Sequence, residues 1–138
     1  MRFRFCLATF LSLALATTAS FAAGTIGVEL NTLTQADAAC RVTLVAQNNL
    51  GVELTELGLE VVLFDKDGHF DRSIVLKTGS LPIGKSRVRQ FDLPGLACKS
   101  VARILVNDVT ECGGVGLTPS LCLQSLTPTT KAGIPLEL

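Results

Sequence analysis

The 138-residue chain carries 12 basic and 12 acidic residues and so no net formal charge, which removes the electrostatic basis for binding nucleic acid. It contains neither Trp nor Tyr. Those amphipathic rings anchor many carbohydrate-binding and promiscuous recognition surfaces, so their absence counts against that class.

The first residues set the compartment. Arg2 and Arg4 form a basic start, Phe5 to Ala16 is an uncharged apolar run, and small residues follow up to Ala22. This order is that of a secretory signal peptide, residues 1–22, with cleavage after Ala22. The apolar run is shorter than the roughly 20 residues a membrane span requires. Cys6 leaves with the leader. The mature chain, 23–138, has 138 − 22 = 116 residues, enough for one domain with its own core. Losing Arg2 and Arg4 leaves ten basic against twelve acidic residues, a formal −2. No second long apolar stretch exists, so no membrane span is expected after cleavage.

Beyond the leader the apolar pattern repeats every two residues, the period of strands with one buried face. Ile26, Val28 and Leu30 alternate with Gly27, Glu29 and Asn31. Cys40, Val42, Leu44 and Ala46 share one face of the next strand, with Arg41, Thr43, Val45 and Gln47 opposite. Asn48 to Gly51 reads as a turn. Leu57, Leu59, Val61 and Leu63 follow in register, and Val62 and Phe64 on the other face mark this strand as central. Asp65 to Gly68 is a hairpin turn. Strands are then expected at Phe70–Lys77 and Ser86–Leu93, separated by a turn at Leu81–Lys85. Pro94-Gly95 interrupts the chain, and Val101–Asp108 is a further strand.

After Thr118, Pro119 suits the first position of a helix of one or two turns at most. The tail alternates Ile134, Leu136 and Leu138 and can add a last strand. About seven short strands without intervening helices specify an all-β fold, an immunoglobulin-like antiparallel β-sandwich.

Four cysteines remain in the mature chain: Cys40, Cys98, Cys112 and Cys122. An even number in an exported chain reads as two disulfides, and four cysteines permit three pairings. If strands alternate in direction, the second and sixth run the same way, which puts Cys40 and Cys98 at one end. Cys112 and Cys122 flank a Gly-rich excursion. Cys40–Cys98 with Cys112–Cys122 is therefore favoured over the other two pairings. Zinc sites use short paired spacings and His partners, and redox centres use C-x-x-C. Neither pattern occurs, so no metal and no cofactor are expected.

Three polar groupings remain. Asp65, Asp67 and Asp71 surround Gly68, but a calcium loop requires about six oxygen ligands and a terminal bidentate Glu, so a hairpin turn is the better reading. His69 is the only histidine and lies beside Asp71 and Ser73, whereas triad members come from separate elements. Lys85, Arg87 and Arg89 share one strand face. They protect an edge strand from unwanted pairing or, alternatively, form a ligand or partner surface.

The segments CRVTLVAQNNLGVELTELGLEVVLFDKDGHFDR, LPIGKSRVRQFDLPGLAC and VARILVND resemble an uncharacterised family of exported alphaproteobacterial proteins, labelled by their leader as Tat-signal-sequence domain proteins. The likeness runs from about Leu30 to Cys122. The adjacent Arg pair of that label is missing here, since Phe3 separates Arg2 from Arg4. More distantly, the order of turns resembles small sandwich modules of the FxLYD type. The resemblance implies a periplasmic sandwich and no activity. Together these readings predict a periplasmic or secreted, non-enzymatic module that binds another protein or supports an envelope assembly. A small-ligand or ion-binding role is the alternative.

Overall fold

The computed structural model describes residues 24–138, so the leader expected at 1–22 lies outside the described residues. In chain order the elements are β1 (Thr25–Ala36), β2 (Ala39–Asn49), β3 (Glu56–Phe64), β4 (Phe70–Lys77), β5 (Ser86–Pro94), a 3-10 turn (Cys98–Ser100), β6 (Arg103–Gly113), α1 (Pro119–Ser125), β7 (Leu126–Thr130) and β8 (Leu136–Glu137). They form two four-stranded sheets, ordered β5-β2-β1-β7 and β4-β3-β6-β8.

The period-two pattern explains the two layers. Ile26, Val28, Leu30, Val42, Leu44 and Ala46 line the inner face of the first sheet, and each is at most 2% exposed. Leu57, Leu59, Val61, Leu63, Ile104, Val106 and Val109 line the facing sheet in the same cluster. Burying each of these side chains contributes about 1.5–3 kcal/mol, the main force holding the sheets together. The chain passes between sheets after β2, β4, β5, β6 and β7, giving the interlocked connectivity of an immunoglobulin-like sandwich.

Two features differ from expectation. The sandwich has eight strands, and two of its four edge pairs, β1 with β7 and β6 with β8, are parallel. Both come from the last thirteen residues, which return to edges whose direction was already set. Asn48 and Asn49 also do not form a simple hairpin turn. Both belong to β2, and the crossover to the other sheet begins at Leu50.

The two open sides of the sandwich are closed differently. On one side, residues 131–135 cross from β7 to β8, and the Lys131 amide donates to Leu30 O at 2.8 Å. On the other side the edges are β4 and β5. Arg89 of β5 donates from Nε to Thr78 O, just beyond β4, at 2.5 Å, and Arg72 of β4 donates to Pro94 O at 2.9 Å. These guanidinium groups tie the two edges together and occupy carbonyls that another strand could use, a known means of blunting sheet edges.

Both disulfides are present: Cys40–Cys98, with Cα atoms 5.0 Å apart, and Cys112–Cys122, with Cα atoms 6.5 Å apart. The first joins the start of β2 to the 3-10 turn after β5. Gln35 reinforces that end by accepting from the Cys98 amide at 2.9 Å and donating to Ala39 O at 3.0 Å. The second pins α1 to the end of β6. The helix starts as its sequence directs, with Thr118 accepting from the Leu121 amide at 3.2 Å and Pro119 in its first turn.

Candidate functional site

The end of the sandwich that carries the β2–β3, β4–β5 and β6–α1 connections is built around Asn48. Its side chain is fully buried. The Nδ2 group donates to Val52 O and to Leu81 O, both at 2.8 Å, while Oδ1 accepts from the Leu50 amide at 3.0 Å. Its backbone is bonded as well, from N to Lys85 O and from the Gly84 amide to its own carbonyl. One amide side chain thus bonds to backbone groups on two connections, beside the Leu54 amide that also donates to Leu81 O.

The third connection is fixed covalently. Gly114 lies so close to Glu53 O and Leu117 Cδ1 that a Cβ there would come within 2.5 Å of each. Glu53 also reaches the neighbouring connection, where Oε1 accepts from the Ile83 amide at 3.2 Å. The three connections therefore lie side by side. Two of these connections and α1 display large apolar side chains to solvent: Val115 is 90% exposed, Ile83 48% and, on α1, Leu121 47%. The Cys112–Cys122 bond holds the segment that presents Val115 and Leu121.

The basic residues Lys85, Arg87 and Arg89 border this end. β5 is an edge strand, as an edge-protecting role requires. Arg87 and Arg89 are paired in register with Ala46 and Leu44, whose side chains face the core, so these arginines lie along the inner rim. Arg89 is engaged with Thr78 O and Val88 O. Lys85 and Arg87 have no carboxylate within ion-pair distance among the described residues.

At the opposite end, the β3–β4 hairpin gathers Asp65, Asp67 and His69, with one potential ligand atom from each inside a 4.8 Å span. Turn chemistry accounts for much of this. Asp65 Oδ1 accepts from the amides of Asp67 and His69, both at 2.9 Å, and Gly68 takes φ 79°. Asp71 does not join the group; its carboxylate pairs with Arg72. His69 has its Nδ1 3.8 Å from Asp65 Oδ2.

A depression of about 270 Å³ crosses the outer face of the first sheet. Its floor is Gly27, and Thr25, Glu29, Gln47, Asn49, Thr127 and Thr129 stand around it. The Glu29 carboxyl is held below its ordinary value, first by the amide of Asn31 and then by the Lys131 ammonium. Asn31 Nδ2 lies 2.8 Å from Oε1 and Lys131 Nζ 3.1 Å from Oε2.

No protein-family model, curated protein or solved structure matches the chain. Among the described residues, no helix is long and apolar enough to cross a membrane. The fold and its exposed chemistry therefore define the class: a small, doubly disulfide-bonded β-sandwich with a braced loop end.

Proposed function

We propose that this chain is an exported, non-enzymatic sandwich module of the periplasm or extracellular space that binds another protein, on its own or within an envelope assembly. The observation that carries this reading is the apolar display of Val115 and Ile83 on connections, and of Leu121 on α1, braced by Asn48 and the Cys112–Cys122 bond. Apolar side chains on a rigid scaffold bind with less ordering cost than those on a mobile loop. Lys85 and Arg87 supply a polar border of the kind that surrounds interface centres. Export is supported by the leader pattern at residues 1–22 and by two disulfides, which persist in oxidising compartments.

The test places a photo-cross-linking residue at position 115 and, as a control at the opposite end, at position 66. Both are expressed in a host carrying the natural envelope. Position 115 is expected to capture a discrete partner that position 66 does not, and Val115→Asp combined with Ile83→Asp is expected to remove an unmodified partner from pull-downs. Equal capture at both positions, or none at 115, refutes the reading. A small-ligand or ion-binding role draws on Lys85 and Arg87, which have no carboxylate partner among the described residues, and on the grouping of Asp65, Asp67 and His69. Thermal shift against calcium and a panel of anions distinguishes it, because a ligand that binds only the folded state raises the melting temperature.

A further inference from the structure

Gly27 has no structural reason to be glycine. Of the twelve glycines in the chain, eight have positive φ, a conformation that other residues adopt only with strain. At Gly24, Gly58 and Gly113, an added Cβ would come within 2.6, 2.8 and 2.3 Å of neighbouring atoms. Gly27 belongs to neither group. It lies inside β1, paired with Gln47 on one side and Thr127 on the other, and the nearest atom to an added Cβ is Gln47 Cβ at 3.6 Å, an ordinary contact. A glycine within a strand weakens it and often marks a place where something approaches the backbone closely. What the missing side chain provides here is the floor of the depression on the outer face of the first sheet.

We propose that this depression is a binding site for a small, neutral, polyhydroxylated ligand of about monosaccharide size, lying over Gly27 and hydrogen-bonded by the surrounding side chains. The chemistry of the lining selects this class. Thr25, Thr127 and Thr129 contribute hydroxyls, and Gln47 and Asn49 contribute amides that both donate and accept. The single charged group, Glu29, has one oxygen engaged by Asn31 and the other by Lys131, so it selects neither a cation nor an anion. The volume, about 270 Å³, lies just below the roughly 300 Å³ at which pockets for drug-sized ligands begin. Val28 and Val45 add apolar surface to the lining, but no aromatic ring stands there to stack on a sugar, so recognition rests mainly on hydrogen bonds and the affinity is weak.

The test titrates isotopically labelled mature protein with glucose, N-acetylglucosamine and myo-inositol while following backbone amide resonances. At least one probe is expected to give saturable shifts centred on Gly27, Gln47, Thr127 and Thr129. Gly27→Ala is expected to raise the melting temperature by roughly 2–4 °C, since a compatible site gains from losing glycine. Gly27→Val, which fills the floor, is expected to remain folded and to lose at least tenfold in affinity. The proposal is overturned if none of the probes gives saturable shifts at these amides, or if Gly27→Val binds as tightly as the natural chain. A lowered melting temperature in both variants also overturns it, because the fold would then account for the glycine.

Discussion

Replacing Asn48 with alanine tests the loop end most directly. The substitution removes two donors and one acceptor from a fully buried position. Leu81 O keeps a second partner in the Leu54 amide at 3.2 Å, and Val52 O is only partly buried, so neither carbonyl loses all compensation. At about 1 kcal/mol for each of the three lost bonds, the expected loss is about 3 kcal/mol. The 138 − 23 = 115 described residues, at about 2.1 cal/mol/K each, give an unfolding entropy of about 0.24 kcal/mol/K. The melting temperature should then fall by roughly 12 °C, with a matching shift of the urea midpoint at unchanged slope. Asn48→Asp should do worse than Asn48→Ala, because it turns an acceptor toward two carbonyl oxygens. Hydrogen exchange at Gly84, whose amide donates to the Asn48 carbonyl, should accelerate in both variants. A loss below about 1 kcal/mol for the alanine variant, or an aspartate variant as stable as the natural chain, refutes the account of this end.

Three further outcomes are expected. Paired serine substitutions should cost about 4 kcal/mol at Cys40 and Cys98, whose separation is 58, and about 3 kcal/mol at Cys112 and Cys122, whose separation is 10; urea unfolding that reverses this order contradicts the loop-closure argument. Arg89→Ala should free carbonyls at the β4–β5 edges and produce concentration-dependent self-association, read by sedimentation velocity; a variant that stays monomeric at every concentration removes the edge-protection role. Stability should also fall in acid. The Arg41 guanidinium, bonded to Asp92 at 2.6 and 2.9 Å, holds that carboxyl below its ordinary 3.8, and Glu29 lies below its ordinary 4.5 for the reasons given above. The folded state therefore binds fewer protons than the unfolded chain, so this contribution is complete above the ordinary values and lost as pH falls through the lowered ones. Asp92 is exposed and Glu29 half-buried at the surface, so the effect is small; Asp92→Asn should flatten part of the acid limb of the urea midpoint, and an unchanged limb would count against the Arg41 pair.

Much of the fold was legible because burial imposes a period of two. The inner faces of β1 and β2 follow the apolar alternation residue by residue, and β3 carries Val62 on its second face because β4 and β6 flank it. The disulfide pairing was legible in part, from strand direction. β7 was missed because Leu-Thr-Pro-Thr-Thr has one buried residue, and Pro128 argues against a strand anywhere except at an edge, which is where it lies. The extra length of β1, to Ala36, was hidden because Asp37 turns the chain at φ 51°, a conformation common to Asn and Asp but not dictated by them. The Asn48–Gly51 pattern reads as a turn; nothing local distinguishes an amide that only caps a turn from one that also ties in Leu81, 33 residues away. The inward aim of Arg87 and Arg89 was hidden for a related reason. Their alternation fits either face, and only pairing with Leu44 and Ala46 decides which.

The C-terminal return also bears on how the domain is assembled. β7 completes the edge of one layer and β8 the edge of the other, with Arg103 lying 3.7 Å over the Phe64 ring and reaching Glu137 at 3.0 Å. A polypeptide delivered N-terminus first, whether from a ribosome or through a translocation pore, therefore stays unzipped along one flank until β8 arrives. For that interval the edges of β1 and β6 lie open to pairing with other strands.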